Sequence, residues 1–452
     1  MKKTAFRPHQ RGHLTQLPKE YVDWLTQPLT RFLHIEAAAG AVLLFFTIAA
    51  LVLANSPWAD TFLSLWEVPI GITAGTVEFE RSIREWINDA LMTLFFFLVA
   101  LELKREIVLG ELKNPRLAVL SIAGAIGGML VPALLYLAFQ LGQPGQNGWG
   151  TVMATDTAFV IACLTLLGPR VPKSLRVFML SLAIIDDLGA IVVVAVGYGE
   201  VIHFHYIGLA VIGFVAIKLM AVLGIRNIMV YLLVGGLIWL AVDASGMHPT
   251  VTGVIMGLMT PTERWVSEKR LLTIMGSVVP STPVNHRRRF SINRKVLKTA
   301  EAAVREVLSP VERLEMLLHP WIGFAVMPLF AFANAGVPIA FSEMADSLYI
   351  AIFAGLVVGK PVGIILFCGL AIYTGLAIRP PELRWPYILA GGMLAGIGFT
   401  MSLFIANLAL SPALVNDAKL GILSASLFAA LTGIALLSWL LKRDALHNQG
   451  ET

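Results

Sequence analysis

Charge and cysteine are both scarce in this chain, and each scarcity excludes something. Only 14% of the 452 residues are Asp, Glu, Lys or Arg, against about 25% in soluble domains, while 57% are hydrophobic. That balance excludes an ordinary soluble enzyme, and recurrent apolar runs point instead to one polytopic membrane domain. The two cysteines, Cys163 and Cys368, fall inside apolar runs. A disulfide framework and a thiolate metal site therefore have no material, and both residues read as packed thiols. Residues 1–31 lack an apolar core and a small-residue cleavage site, so the first apolar segment is expected to direct insertion itself. The formal net charge of +5 is not a nucleic-acid signature. In a membrane chain the location of basic residues matters more than their sum, and membrane lipid, with no nucleic acid, is the expected partner.

What is present is an all-α pattern of about 12 transmembrane spans: 34–54, 87–107, 117–139, 150–167, 174–198, 206–224, 229–243, 248–261, 319–337, 348–374, 386–410 and 417–441. The seventh and eighth are short for full crossings. Five regions follow: an N-terminal segment 1–33, spans one to eight over 34–261, a loop 262–318, spans nine to twelve over 319–441, and a tail 442–452. Connections alternate in charge. Lys104, Arg105, Lys113 and Arg116, then Arg170, Lys173 and Arg176, then Arg226, then Arg379 and Arg384 lie on one side. The stretches 140–150, 199–206, 243–246 and 341–347 on the other contain no Lys or Arg. The positive-inside rule then places both termini in the cytoplasm, with Arg81, Arg84 and Lys419 as the outer exceptions. Alternation with glycine punctuation in 67–80, inside the first outer loop 55–85, predicts a small extracytoplasmic β-hairpin. The 262–318 loop carries Arg287-Arg288-Arg289, basic residues onward to Lys298, and a helix-like run around Ala300–Leu308. Such a loop is solvated, or touches anionic headgroups at about 1 kcal/mol per well-placed cation.

Asp186 and Asp187 stand in the apolar stretch 178–196. A carboxylate near the bilayer centre costs at least about 2.5–3.5 kcal/mol, so its default reading is a proton or cation site. Lys360, in Val357-Val-Gly-Lys-Pro-Val-Gly363, is equally misplaced in a span and needs an acidic partner, Asp186 or Asp187. The bland alternative is a permanent ion pair that orders the bundle. Successive helical residues point about 100° apart, so one aspartate can line a cavity while the other meets a second helix. Asp187 is assigned to the cavity and Asp186 to Lys360, although periodicity alone leaves the choice open. Sodium is a hard cation that favours carboxylate, hydroxyl and carbonyl oxygens, a set that Asp187, Thr155 and a freed backbone carbonyl would supply. No resident cofactor is expected.

Spans four and eleven are interrupted, by Ala154-Thr-Asp-Thr157 and by Gly396-Ile-Gly-Phe-Thr400. Interruptions free backbone groups that lipid cannot satisfy, so they face protein or a water-filled cavity. Broken spans in corresponding places of two halves are the pointer to inverted-repeat transporters, here spans three to five paired with ten to twelve. Each half-helix end carries about half a unit of charge. Opposed N-termini want an anion, for which Asp156 is placed, and opposed C-termini want a cation, for which Lys360 is a candidate. A carboxylate exposed to water is ionised at neutral pH and useless for proton exchange. One removed from water beside a second carboxylate holds either a proton or a cation, and competition at one site is sufficient for exchange.

These stretches resemble the bacterial NhaA-type sodium–proton antiporters. The resemblance rests on Trp86-Ile-Asn-Asp-Ala-Leu-Met92, Leu101-Glu-Leu-Lys-Arg-Glu106, Ala154-Thr-Asp156, Ala183-Ile-Ile-Asp-Asp-Leu-Gly-Ala190, Pro328-Leu-Phe-Ala-Phe-Ala-Asn-Ala-Gly336, Gly359-Lys-Pro361 and Gly396-Ile-Gly-Phe-Thr-Met-Ser402, and it spans residues 33 to 441. It implies that Asp187 and Asp186 carry Na⁺ or Li⁺ and H⁺, with Thr155 lining the site and Asp156 and Lys360 at the crossing helices. It implies electrogenic exchange, more protons in than sodium out, at the bacterial inner membrane, with a role in sodium and pH homeostasis. It also implies a homodimer, with the 57–80 hairpin as its contact. Acid shut-down is implied through Glu102, Arg105, Glu106, Glu315 and His319, with His248 at another position tied to pH; each also reads as an ordinary boundary ion pair or cap. Met316, where some members have a histidine, and the long 262–318 loop imply a displaced midpoint. Two other classes compete. An intramembrane aspartyl protease needs its aspartates facing from separate helices, whereas this pair is consecutive on one; Asp156 with Asp187 could in principle form a dyad. A passive cation channel favours rings of oxygens from several subunits. Potassium in place of sodium also stays open.

Overall fold

In the computed structural model the described residues are 36–74, 77–110, 115–198, 203–225, 228–263, 273–274, 308–339 and 346–450. The 287–298 basic run and nearly all of the 300–308 helix-like run lie outside them. The chain is mostly helical. Eight helices are long and apolar enough to cross a membrane, nine if one bent pair counts as a span, and Ala38–Ala54, Met229–Ala244 and Thr250–Met259 are shorter apolar helices.

Helix α1 (Glu36–Ala54) leads through a short α2 (Ala59–Leu65) into strands β1 (Pro69–Ala74) and β2 (Val77–Ser82). The strands are antiparallel, with Pro69 opposite Ser82 and Ala74 opposite Val77. The 57–80 region is thus part helix, and the hairpin begins only at Pro69. A capping box at Ser82 and Glu85 turns the chain into helix. A π-helical turn, Ile87–Leu91, leads into α3 (Met92–Leu109). Helix α4 (Pro115–Gln140) follows, then a 3₁₀ helix (Gln146–Val152), α5 (Thr157–Leu166), α6 (Lys173–Gly197), α7 (Phe204–Val222), α8 (Ile228–Ala244) and α9 (Thr250–Met259).

After the long loop, α10 (Pro310–Trp321) starts nine residues before the expected span boundary at 319. Its polar first turns look like loop, but Ser309 and Glu312 form a capping box and Pro310 sits at the first helical position. A π turn (Ile322–Val326) joins it to α11 (Met327–Asn334). Helix α12 (Ser347–Ala354) likewise passes through a π turn (Gly355–Gly359) into α13 (Lys360–Tyr373). Helices α14 (Trp385–Ala395) and α15 (Phe399–Ala409) bend by 47° at their break, and α16 (Pro412–Gly450) ends the chain.

One apolar core joins most of these helices, and a small satellite around Ile217, Ile238 and Val242 packs α7 on α8. Only 11% of the α7 apolar window is buried, with Leu209, Ile212, Val215 and Leu219 exposed. A helix apolar on all sides and uncovered by protein has lipid as its solvent. Helices α4 and α13 touch backbone to backbone. A Cβ at Gly127 would fall 2.2 Å from the Gly363 carbonyl oxygen, and one at Gly363 would fall 2.1 Å from that of Gly127. Glycine pairs of this kind let apolar helices gain dispersion contact where no hydrophobic force drives them together. This contact carries Lys360, at the head of α13, into the bundle centre.

Candidate functional site

The site is built where two non-helical segments meet. After the 3₁₀ helix the chain runs without helical structure from Ala154 to Asp156 and then enters α5; its counterpart, Gly396-Ile397-Gly398, separates α14 from α15. The two irregular segments are bonded together, the Asp156 amide donating to the Ile397 carbonyl at 2.7 Å. Glycine is required at 396, since a Cβ there would lie 2.6 Å from the Leu356 carbonyl oxygen.

Asp156 is buried and caps both helices that begin at the crossing. Its Oδ1 accepts from the Phe159 amide of α5 at 3.2 Å. Its Oδ2 accepts from the Thr400 amide of α15 at 3.1 Å and from the Thr400 hydroxyl at 2.5 Å. Each N-terminus presents unpaired amides and about half a positive charge, so one carboxylate satisfies and balances both. At the opposite ends, Lys360 Nζ donates to the carbonyl of Met153, just past the 3₁₀ helix, at 2.5 Å. The Ala395 carbonyl, at the end of α14, accepts from the Thr155 hydroxyl at 3.0 Å.

Helix α6 brings the two aspartates to this crossing, both buried, at 0% and 2% exposure. Asp186 Oδ2 lies 2.9 Å from Lys360 Nζ and accepts from the Thr155 hydroxyl at 2.6 Å. Asp187 Oδ2 accepts from the Thr157 hydroxyl at 3.0 Å. The structure therefore corrects the pairing of Thr155 with Asp187. Thr155 precedes the cap residue and faces Asp186, whereas Thr157, the first residue of α5, turns toward Asp187. Thr157 and Thr400 were both visible in the two interruptions as polar residues, but periodicity gives no direction to a side chain beside a helix break. Asp186 Oδ1 and Asp187 Oδ1 have no hydrogen-bond partner. A buried carboxylate oxygen without a donor is costly unless a proton or cation can reach it. Among the described residues no group of three or more His, Cys, Asp and Glu suits a resident metal. Hydroxyl, carbonyl and carboxylate oxygens suit a hard monovalent cation as a passing occupant.

The other ionisable residues separate into two places. Arg105 of α3 pairs with Glu315 of α10 at 3.0 Å, with buried Glu106 on the same end of α3. Glu102 lies one turn inward on α3. His319 is exposed on α10. His248 lies at the other end of the bundle, just before α9 and near Ser245, whose carbonyl accepts from the His203 amide. At that same end Arg81 bridges Asp89 and Asp243, and Arg84 pairs with Glu67 at 2.7 Å.

A chain of side-chain amides, buried at Asn88 and Asn334 and half-buried at Asn407, escaped the sequence reading. Asn334 Nδ2 donates to Asn88 Oδ1 at 2.8 Å, and Asn407 Nδ2 donates to Asn334 Oδ1 at 3.0 Å. It ties α15 to α11 and to the π turn before α3. Its links span 246 and 73 positions, and a lone Asn in an apolar run carries no directional signal.

Comparison with known proteins accords with this geometry. The family model described as Na⁺/H⁺ antiporter 1 matches residues 30–437. The chain is 55% identical over 432 residues to the Na(+)/H(+) antiporter NhaA 2 of Vibrio vulnificus, covering 96% of this chain and 97% of that protein. It is 57% identical over 429 residues to the protein of the same name from Acidiphilium cryptum, covering 95% and 96%. To the NhaA of Rhizobium meliloti it is 55% identical over 427 residues, covering 94% and 98%. With nearly its whole length matched, the chain belongs to the Na⁺/H⁺ antiporter 1 family.

Proposed function

We propose that the chain is an electrogenic antiporter of the bacterial inner membrane, exporting Na⁺ or Li⁺ against a larger number of inward protons. The observation that carries this reading is the pair of buried carboxylates, each with one oxygen lacking a partner, on α6 beside two interrupted helices. The relatives' names supply the ions; the geometry supports a site able to hold either. Asp187, with the Thr157 hydroxyl, is the competition site. Ionised, it takes the cation; protonated, it releases it. Asp186 is held by Lys360 and Thr155. Proton uptake on Asp186, or proton release from Lys360, breaks that ion pair and supplies the second charge per cycle. Asp156 stays ionised between two helix N-termini and fixes the crossing while the site faces one side and then the other.

In this reading the twelve apolar segments form inverted repeats, α4–α6 against α12–α16, with two broken helices crossing at the midplane. The basic connections place both termini in the cytoplasm. The Arg105–Glu315 pair with Glu102, Glu106 and His319 forms a cytoplasmic pH-responsive cluster, and His248 acts from the far side. Two copies meet through the hairpin. The protease reading loses its dyad, because both oxygens of Asp156 are engaged as helix caps.

The test is proton movement in sealed proteoliposomes at pH 8.5 on adding Na⁺, Li⁺ or K⁺, for the native chain and Asp187→Asn. The expected result is Na⁺- and Li⁺-driven flux that the substitution abolishes and that valinomycin with K⁺ accelerates. Flux surviving the substitution moves the site elsewhere, and a K⁺ response equal to that of Na⁺ overturns the ion assignment.

A further inference from the structure

A cleft of about 260 Å³ lies between the starts of α4 and α6, at the basic end of the bundle, with Pro380 and Leu383 from the following connection on its wall. Three serines, Ser121, Ser174 and Ser181, line it beside Lys173. Ser121 and Ser181 are 5% and 3% exposed. The Ser174 hydroxyl is buried with no partner, and neither Ser121 nor Ser181 bonds to a described group. The Ser174 hydroxyl is the buried one, and a buried polar atom ordinarily finds a partner, while those of Ser121 and Ser181 open to the cleft.

The rim adds positive potential. Helix α6 begins at Lys173 behind Pro172, whose carbonyl accepts from the Leu175 and Arg176 amides but which offers no side-chain cap, so the Lys173 and Ser174 amides are left to other acceptors. Lys173 is exposed and forms no ion pair among the described residues. A Cβ at Gly124 would meet Cys368 Sγ and Leu182 at 3.1 Å and Phe178 at 3.4 Å, so α4, α6 and α13 pack closely one turn on from Ser121. None of the residues that line the cleft belongs to the ion site.

A cationic lysine, free helix amides and hydroxyls able to donate from several directions match an acceptor-only tetrahedral anion. Half-exposed Val177, which opens one wall sideways, suits an apolar tail. We infer that this cleft binds a phosphate group, carried by an anionic phospholipid at the membrane surface. The inference rests on the bundle lying in a membrane and is independent of which ions it exchanges.

The full-length chain in neutral detergent is melted against increasing short-chain phosphatidylglycerol, short-chain phosphatidylcholine or inorganic phosphate. Phosphatidylglycerol is expected to raise Tm saturably, because a ligand of the folded state stabilises by mass action. Lys173→Gln and Ser181→Ala should each weaken its apparent Kd at least tenfold. Arg443→Gln, an exposed basic residue elsewhere, should not. Sodium-driven proton flux should be unchanged in Lys173→Gln and Ser181→Ala, which excludes misfolding. A variant-sensitive shift with inorganic phosphate alone keeps the phosphate site and assigns its source to the free ion. No saturable shift, equal shifts with phosphatidylcholine, or equal affinity in native and substituted chains overturns the inference.

Discussion

Within one turn of helix, Asp186 and Asp187 hold different partners, which is the basis for the separate roles proposed for them. Asp186 is neutralised inside the protein by Lys360, while Asp187 has a single hydroxyl donor and a free oxygen. Thr157→Val should therefore act on cation binding: apparent KM for Na⁺ is expected to rise about tenfold, the size of one neutral hydrogen bond, with kcat nearly unchanged. Sodium-dependent flux at fixed pH checks this, and an effect confined to kcat would remove Thr157 from the site. Competition also sets a sign with pH. If proton and sodium share the Asp187 carboxylate, apparent KM rises tenfold for each unit of acidification below its pKa and levels off above it. Flux measured against Na⁺ from pH 6 to 9 checks this; a KM that does not move across that range contradicts a shared site. The residue identities were legible because ionisable groups in apolar runs are conspicuous. Their partners were not, because Thr155 and Thr157 stand on either side of the cap residue, and the sequence does not say which way each turns at a helix break.

At the level of elements, the crossing depends on charge and on close backbone approach. Asp156→Asn removes the negative charge shared by two N-termini and leaves one acceptor oxygen, so the amide nitrogen faces either the Phe159 or the Thr400 donors. A loss of about 1–3 kcal/mol is expected from the unmet buried donors, read as a lower Tm in detergent. An unchanged Tm together with normal transport would show that the termini are balanced by some other group. Gly363→Leu should be more severe, because the added side chain meets the Gly127 carbonyl and pushes α13, and with it Lys360, from α4. Expected outcomes are poor yield of folded protein and a displaced Lys360. That the chain is largely a run of apolar helices was readable, because most of the helices are apolar over most of their length. Three π turns before α3, α11 and α13 were not, since one extra residue in a uniformly apolar helix leaves no periodic trace. The early start of α10 was readable in principle from Ser309 and Glu312, but its polar face disguised it as loop.

For the whole molecule, the two ends of the bundle differ in kind. One collects the basic connections, the Arg105–Glu315 pair and the serine cleft; the other carries the hairpin, fastened by Arg81 to Asp89 of the π turn and Asp243 of α8. That fastening matters for any role of the hairpin, because a two-stranded ribbon alone is marginal in water. If two copies meet through the hairpin, as proposed above, its strand edges are the groups that would pair. Replacing residues 70–79 with a short Gly-Ser linker keeps Arg81, Arg84 and the helix that follows. The expected outcome is a monomer by light scattering in detergent, with Na⁺-driven proton flux retained in proteoliposomes, because the site lies wholly within one chain. A dimer that persists would place the contact on the helices instead. Loss of flux from a well-folded monomer would mean that exchange in one copy depends on the support of the other.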